Sequence, residues 1–230
     1  ALELRALGIE TFVARPNLWE LWIPEGHVLP KSVKARLIHL SLRSEIRPVL
    51  VGSNRSIKQK LLGPIEISAP DGLRWKGEIY RGSFRIQRDA YGSWTFIEKL
   101  PLEEYLAGVV PYEIGSGAPF AALKAQAVLA RTWALANRHR FLIDGYHLCS
   151  DTQCQVYRSP DKASRPVRSA IKSSAGKVLL WDRQPINAVY HATNGGVMAG
   201  GHEAWAMRAV PYLIPKLDGS SAWQNSFKLP

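Results

Sequence analysis

The hydrophobic positions of the chain change their period near residue 100. Before that point, short apolar and branched runs alternate with polar positions and end at Pro, Gly or Asn, which is typical of strands. Strands are predicted over residues 12–14, 18–23, 35–42, 48–52, 64–68, 80–87 and 93–97. The last two runs flank Asp89-Ala90-Tyr91-Gly92 and are predicted to form a hairpin around it. Residues 1–77 are therefore predicted to be β-rich.

After residue 100 the apolar spacing becomes that of a helix. Residues 102–110 place apolar side chains at i, i+3, i+4 and i+7, with Pro101 before them and Pro111 predicted to end the helix. A second, longer helix is predicted over residues 119–140, which contain many alanines. Alanine has the highest helix propensity, and its small side chain lets neighbouring elements pack closely. One long packed helix is therefore expected in the second part of the chain.

The remaining pattern is irregular. A helical turn is predicted at 169–173, strands at 177–181 and 187–191, and a loop-rich tail from Ala204 onward. The chain is therefore expected to have a mixed α+β fold. We predict a β-rich N-terminal region over residues 1–77 and a second domain over residues 78–230 that contains the long helix.

Composition and charge narrow the possible partners. The chain has 230 residues, of which 46% are hydrophobic, so it can bury one substantial core. Its formal net charge of +11 favours contact with polyanions. The basic residues are scattered and match no nucleic-acid-binding motif, so no nucleic acid is expected as a partner. No stretch approaches the roughly 20 apolar residues of a spanning helix. Membrane contact is therefore expected only through a segment outside this sequence.

Two cysteines, Cys149 and Cys154, lie close together near His147. Such a pair is compatible with a disulfide, with two free thiols, or with a structural zinc site that uses His147 and a further ligand such as His139. The spacing alone leaves these three alternatives open.

Four sequence blocks resemble the stage II sporulation protein D family (SpoIID/LytB). They are LEEYLAGVVPYE at 102–113, ALKAQAVLARTWA at 122–134, CQVY at 154–157 and YHATNGG at 190–196, in the order found in the family. The resemblance covers residues 78–223. It implies an α+β fold and lytic transglycosylase activity on peptidoglycan glycan strands stripped of their stem peptides. Some members are amidase enhancers, so the resemblance also permits a non-catalytic, wall-binding module.

The family's catalytic glutamate closes the first block and corresponds to Glu113. One carboxylic acid is chemically sufficient for a lytic transglycosylase, because the attacking group is a hydroxyl of the substrate itself. Hydrolytic glycosidases usually need two carboxylates, and Glu104 or Asp151 would supply the second one in such an enzyme. The neighbouring Tyr112, Ile114 and Phe120 are expected to form an apolar pocket around Glu113, since such surroundings favour a protonated carboxyl group.

The other blocks supply the expected substrate contacts. These are Lys124, Gln126 and Arg131 on the long helix, the pair Gln155 and Tyr157, and a loop formed by His191, Asn194, Gly195 and Gly196. For each group a structural interpretation stands beside the functional one: a solvent-facing stripe for the helix, a core aromatic for Tyr157, and a plain turn for the loop.

The resemblance also bears on the setting of the reaction. No cofactor is required, although a structural zinc ion remains an alternative at the cysteines. The expected partners are peptidoglycan glycan strands and a wall amidase, and the expected location is extracytoplasmic.

Overall fold

The computed structural model describes residues 12–15, 18–22, 49–51, 58–60, 64–89, 94–205 and 207–218. These residues form both strands and helices, which confirms the predicted α+β fold. The strand predicted at 35–42 lies outside the described residues. No helix in the described ranges combines the length and the apolar character that crossing a membrane requires.

Two antiparallel hairpins come first. β1 (Phe12–Arg15) pairs with β2 (Leu18–Trp22), and β3 (Val49–Val51) pairs with β4 (Lys58–Lys60). The first three of these strands coincide with predicted ones.

A three-stranded antiparallel sheet follows. It has the order β5 (Ile65–Ile67), β8 (Ser83–Arg88), β9 (Trp94–Lys99), and a separate hairpin of β6 (Leu73–Trp75) and β7 (Glu78–Tyr80) lies between β5 and β8 in the chain. The predicted hairpin around residues 89–92 is confirmed by the β8–β9 pairing. The boundary proposed between residues 77 and 78 falls inside the β6–β7 hairpin, and β5 pairs with β8 across it.

The helices form the main core. They are α1 (Leu102–Ala107), α2 (Val110–Ile114), α3 (Phe120–Asn137), α4 (Arg165–Ser173) and the short α5 (Gly201–Ala204). Leu106, Val110, Leu123 and Val167 are fully buried and belong to one cluster, in which Ala127, Ala130 and Ala170 occupy the contacts between helices. Small side chains at these positions let the long helix α3 lie close to its neighbours, as its sequence predicts.

Two secondary-structure predictions, a helix end and a strand, are wrong for physical reasons. Pro111 does not end a helix, because it lies in the first turn of α2, where the N–H that proline lacks would have no helical partner. The predicted strand 187–191 is not a strand. Its Asn187 and Tyr190 side chains bond instead to Asn137 and Gln155, at 3.0 and 3.2 Å.

Short elements make up the C-terminal part as far as it is described, to residue 218. A 3₁₀ turn at Pro160–Lys162 precedes α4, which extends the predicted turn at 169–173 to a full helix. Two small hairpins follow, formed by β10 (Leu180–Trp181) with β11 (Gln184–Pro185) and by β12 (Val197–Met198) with β13 (Lys216–Leu217).

Strand β9 of the sheet and strand β7 of the separate hairpin are joined to the helical core by half-buried polar contacts. The Tyr157 hydroxyl donates to Glu98 Oε2 at 2.7 Å, and Glu78 Oε2 accepts from the Ser159 amide and the Tyr80 hydroxyl, both at 3.1 Å. These contacts fix the segment 154–162 between the sheet and the helices, and that segment carries one side of the candidate site.

Candidate active site around Glu113

Glu113 is held on α2, the short helix Val110–Ile114 that has Pro111 in its first turn. Its amide donates to the Val109 carbonyl at 3.1 Å, and the helix ends two residues later at Gly115, whose φ of 81° favours glycine. The side chain is half-buried. Its Oε1 accepts a hydrogen bond from the Val156 amide at 2.9 Å, so the carboxyl group is fixed against the segment 154–158.

Gly108 allows that segment to approach. The Arg158 amide donates to the Gly108 carbonyl at 3.0 Å. A Cβ atom at residue 108 would collide with the Arg158 carbonyl oxygen and with the Tyr157 ring. The absence of a side chain at this position therefore lets residues 156–158 lie directly on the turn between α1 and α2, which brings the Val156 amide to Glu113.

Gln155 joins three parts of the chain beneath the site. Its side chain is 1% exposed. Its Oε1 accepts from the Tyr105 hydroxyl at 3.1 Å, and its Nε2 donates to the Ala130 carbonyl at 3.3 Å and to the Tyr190 hydroxyl oxygen at 3.2 Å. Both ends of the amide are thus satisfied, which fixes its orientation.

Two tyrosines complete the surroundings of Glu113. Burial raises the pKa of Tyr190, and the negative charge of Glu113 and a side-chain hydrogen bond with it raise that pKa further, against a lowering by Gln155. Burial is also the main cause that raises the pKa of Tyr105, followed by Tyr190 and Glu113. Both phenols therefore stay neutral at ordinary pH.

The four sequence blocks meet at this point. Glu113 and Tyr105 come from the first block, Ala130 from the second, Gln155 from the third and Tyr190 from the fourth. The sequence pattern assigned Tyr105 to an apolar helix face and gave Tyr190 no role. Their membership of the blocks was the one signal that pointed to them.

Arg131 is not a substrate-binding residue in this structure, and that prediction is wrong. Its side chain is 1% exposed and forms a two-pronged ion pair with Glu103, with both N–O distances at 2.7 Å. A third nitrogen donates to the Lys177 carbonyl at 3.1 Å. Because its donors are bound inside the fold, the guanidinium ties α3 to α1 and to the segment after α4.

Gln155 and Tyr157 also lie too deep for a direct sugar contact. Tyr157 is 8% exposed, its ring stacks on Tyr105 at 5.3 Å between centroids, and its hydroxyl is bound to Glu98. The structural interpretation is therefore correct for Tyr157. Gln155 is buried in the same way and supports Tyr190.

Substrate binding by Lys124 and Gln126 on α3 stays a prediction. Lys124 is half-buried, and its Nζ lies 6.0 Å from the centre of the Phe120 ring, which is itself 47% exposed. Gln126 is 5% exposed, and its Nε2 has no hydrogen-bond partner among the residues described.

The apolar pocket expected around Glu113 is not formed by its three apolar neighbours. Tyr112 and Phe120 are exposed, at 37% and 47%, and Ile114 packs against the helical core. The hydrogen bond that fixes Glu113 comes from a polar group instead, the Val156 amide at 2.9 Å.

The loop at 194–196 is a turn anchored to the C-terminal hairpin. Asn194 Nδ2 donates to Asp218 Oδ2 at 2.8 Å, and Asn194 Oδ1 accepts from the Gly196 amide at 2.9 Å. Gly195 and Gly196 have φ values of 65° and 94°, which explains the two glycines. His191 is exposed. Contact between this loop and a substrate remains a prediction.

Cys149 and Cys154 are joined by a disulfide, with their Cα atoms 5.7 Å apart. Neither sulfur is available as a thiolate, so a zinc site built on His147, Cys149 and Cys154 does not fit the structure. Within the ranges that are described, no three His, Cys, Asp or Glu side chains are grouped as a metal site requires.

A cavity of about 240 Å³ lies between α1 and α4, away from the Glu113 network. It is lined by Glu103, Glu104, Ala107, Arg168, Ile171, Lys172 and Ala175.

Comparisons with known proteins agree with the first three of the four blocks, which lie within the matched residues. The family model described as "Stage II sporulation protein" (SpoIID) matches residues 90–181. Stage II sporulation protein D of Bacillus subtilis is 33% identical over 132 residues, which cover 51% of this chain and 38% of that protein. Its counterpart in Bacillus amyloliquefaciens is also 33% identical, over 133 residues and 38% of its length.

A third relative bears the name amidase enhancer and comes from Bacillus subtilis. It is 35% identical over 113 residues, which cover 49% of this chain and 15% of that protein. The chain thus spans less than two fifths of the length of each of these three relatives. The matched segment contains Glu113, the long helix and the disulfide loop, and it is through this segment that the chain is similar to the stage II sporulation protein (SpoIID) family.

Proposed function

We propose that this protein acts on the bacterial cell wall as a lytic transglycosylase, with Glu113 as the single acid and base. The substrate is a peptidoglycan glycan strand, preferentially one without stem peptides. The observation that carries the proposal is the fixed position of Glu113, whose carboxyl group accepts a hydrogen bond from the Val156 amide at 2.9 Å where the four blocks converge.

The reaction needs one proton and returns it. Glu113 in its acid form protonates the glycosidic oxygen, and the bond from C1 of the muramyl sugar to that oxygen breaks. The 6-hydroxyl of the same sugar attacks C1 and gives its proton to the Glu113 carboxylate. The product is a 1,6-anhydro sugar, no water is consumed, and the acid is regenerated. A second carboxylate, which hydrolysis usually requires, has no task in this sequence.

The neighbouring groups support this use of Glu113. The Val156 amide donates to the carboxylate form of Glu113, and Gln155 holds Tyr190, whose pKa the charge of Glu113 helps to raise. A carboxyl group that must alternate between acid and base needs a fixed orientation toward two substrate oxygens, because proton transfer requires hydrogen-bond geometry.

Charge and covalent structure support the proposed location. The net charge of +11 favours contact with anionic wall polymers. The Cys149–Cys154 disulfide is of a kind that persists in oxidising, extracytoplasmic surroundings. We infer an extracytoplasmic protein whose partners are glycan strands and a wall amidase.

One observation favours a second candidate function. The amidase enhancer of Bacillus subtilis is 35% identical to half of this chain. The alternative is accordingly a wall-binding module that stimulates an amidase and does not cleave glycan itself.

Product analysis separates these functions. Purified glycan strands stripped of stem peptides are incubated with the protein, and the fragments are identified by mass spectrometry. The proposal predicts fragments that end in anhydromuramyl groups. Fragments with reducing ends would indicate hydrolysis and contradict the transglycosylase route. Binding to sacculi without any released fragment would favour the binding module.

A further inference from the structure

The polypeptide segment that supports Glu113 begins at the residue after Cys154, which is one half of the disulfide. Cys154 is followed by Gln155, whose side chain contacts Tyr190, and by Val156, whose amide contacts Glu113. The cross-linked Cys154 therefore lies one residue before Gln155 and two residues before Val156.

The loop closed by the disulfide has its own internal contacts. The Cys154 amide donates to the Asp151 carbonyl at 3.0 Å, and the Tyr157 amide donates to the Ser150 carbonyl at 3.2 Å. The Cys149 amide donates to Cys154 Sγ at 3.0 Å, a contact that places the two cysteines side by side. The loop thus folds back on itself, so that residue 157 bonds to residue 150.

The loop is accessible from solvent while its continuation is buried. Residues 151–153 are exposed and both cysteines are half-buried, whereas Gln155 and Tyr157 are buried. A small reductant can therefore reach the disulfide without unfolding the core. Helix and sheet contacts hold Tyr157, whereas the Cys154 amide bonds within its own loop, to the Asp151 carbonyl.

We propose that the Cys149–Cys154 disulfide is a positioning element for the Glu113 reaction. It fixes where residues 155 and 156 enter the site, and its loss lowers turnover while the fold remains intact. This inference rests on the proposed function. It predicts that the protein works in oxidising surroundings and is impaired in reducing ones, because a hydrogen bond of 2.9 Å between Val156 and Glu113 tolerates little displacement.

The test combines a covalent change with two readouts. Dithiothreitol supplies two electrons and two protons to the disulfide, which becomes two thiols while the reductant closes to its cyclic disulfide. Turnover on glycan strands and amide hydrogen exchange over residues 154–158 are measured before reduction, after reduction and after reoxidation. The Cys149→Ser/Cys154→Ser double variant and the exposed-loop control Thr152→Ala are measured in parallel.

The proposal predicts a loss of kcat of about tenfold on reduction, which is what a change of about 1.4 kcal/mol in the barrier produces. We also expect faster exchange at residues 155 and 156, reversal on reoxidation, and the same defects in the double variant without further response to dithiothreitol. Thr152→Ala keeps wild-type turnover. Unfolding temperatures above the assay temperature show that the fold persists.

Unchanged exchange and unchanged kcat in the reduced protein and in the double variant would overturn the proposal. The failure of the proposed function looks different. In that case the oxidised wild type shows no turnover at all, and hydrogen exchange alone still decides whether the disulfide fixes residues 155 and 156.

Discussion

At the scale of single residues, Glu113 is defined by groups that come from distant parts of the chain. The Val156 amide reaches it from 43 positions away, and Tyr190 reaches it from the segment after β11. The two donors differ in kind. A backbone amide cannot be removed by ordinary substitution, whereas the tyrosine hydroxyl can, so Tyr190 offers the cleaner experiment.

Tyr190→Phe is expected to lower kcat about tenfold, because the loss of one hydrogen bond to a charged or buried group costs about 1.5 kcal/mol. The ring is retained, and Tyr190 acts through the orientation of Glu113, so KM should change little. Steady-state kinetics on glycan strands, with a pH profile of kcat, check this prediction. Wild-type kcat together with an unchanged pH profile would show that the hydroxyl plays no part.

The residue scale also shows what sequence reasoning can reach in the site. The place of Glu113 at the meeting point of the blocks was predictable because it closes a recognisable block, and its catalytic role is the part that stays a proposal. The buried position of Arg131 was not predictable, because a basic residue on a helix is compatible with a surface stripe and with a buried ion pair. The choice depends on Glu103, which lies 28 positions earlier in the chain and meets it only in the folded structure.

At the scale of secondary-structure elements, two adjacent glutamates on α1 make very different contacts. Glu103 pairs with Arg131, whose side chain is 1% exposed, and so connects α1 to α3. Glu104 pairs with Arg168 at 3.1 Å, and the two side chains are 46% and 42% exposed. The Glu103–Arg131 pair includes a buried cation, whereas the Glu104–Arg168 pair is exposed to solvent. Substitution of the two glutamates therefore compares a buried ion pair with an exposed one.

Glu103→Gln is expected to lower the free energy of unfolding by about 2–4 kcal/mol, because it leaves a buried guanidinium without its counter-charge. Glu104→Gln should cost less than about 1 kcal/mol, as exposed pairs contribute little. Urea unfolding of both variants measures the difference. Equal losses of stability would mean that the Arg131 pair is no more important than a surface contact.

Element prediction succeeded where one local property decided the outcome. The alanine-rich α3 and the β8–β9 hairpin follow from propensity and alternation alone. The strand predicted at 187–191 is absent although its apolar and polar residues alternate as in a strand. Its Asn187 and Tyr190 side chains bond to Asn137 on α3 and to Gln155. The prediction that Pro111 ends a helix failed because proline is common both after the end of a helix and in its first turn. The sequence alone did not distinguish the two.

At the scale of the whole molecule, the sheet and the helical core are joined through carboxylates. Glu78 binds Lys162, the Ser159 amide and the Tyr80 hydroxyl. The pKa of Glu78 is lowered from its ordinary value of 4.5, first by the hydrogen bond from Lys162 and also by those from Ser159 and Tyr80, against the opposing effect of burial. This interface lies next to the segment that positions Val156.

A lowered pKa in the folded state means that Glu78 stabilises the fold above its ordinary value of 4.5 and loses this contribution as the pH falls through the folded pKa. As the pH falls from 4.5 to the folded-state pKa, the unfolding temperature of the wild type should therefore fall more steeply than that of Glu78→Gln. Thermal unfolding at a series of acidic pH values measures both slopes. Lys162→Met should flatten the slope in part, and identical slopes in wild type and Glu78→Gln would contradict this assignment.

The most direct measurement concerns Glu113 itself. Wild type, Glu113→Gln and the exposed-surface control Glu66→Gln are incubated with peptide-free glycan strands, and anhydromuramyl ends are counted over time. Glu113→Gln keeps the shape of the side chain and cannot exchange the proton, so we expect at least a hundredfold loss, as is usual for general acid–base groups, with Glu66→Gln unchanged. Anhydromuramyl ends formed by Glu113→Gln at the wild-type rate would contradict the proposed role of Glu113.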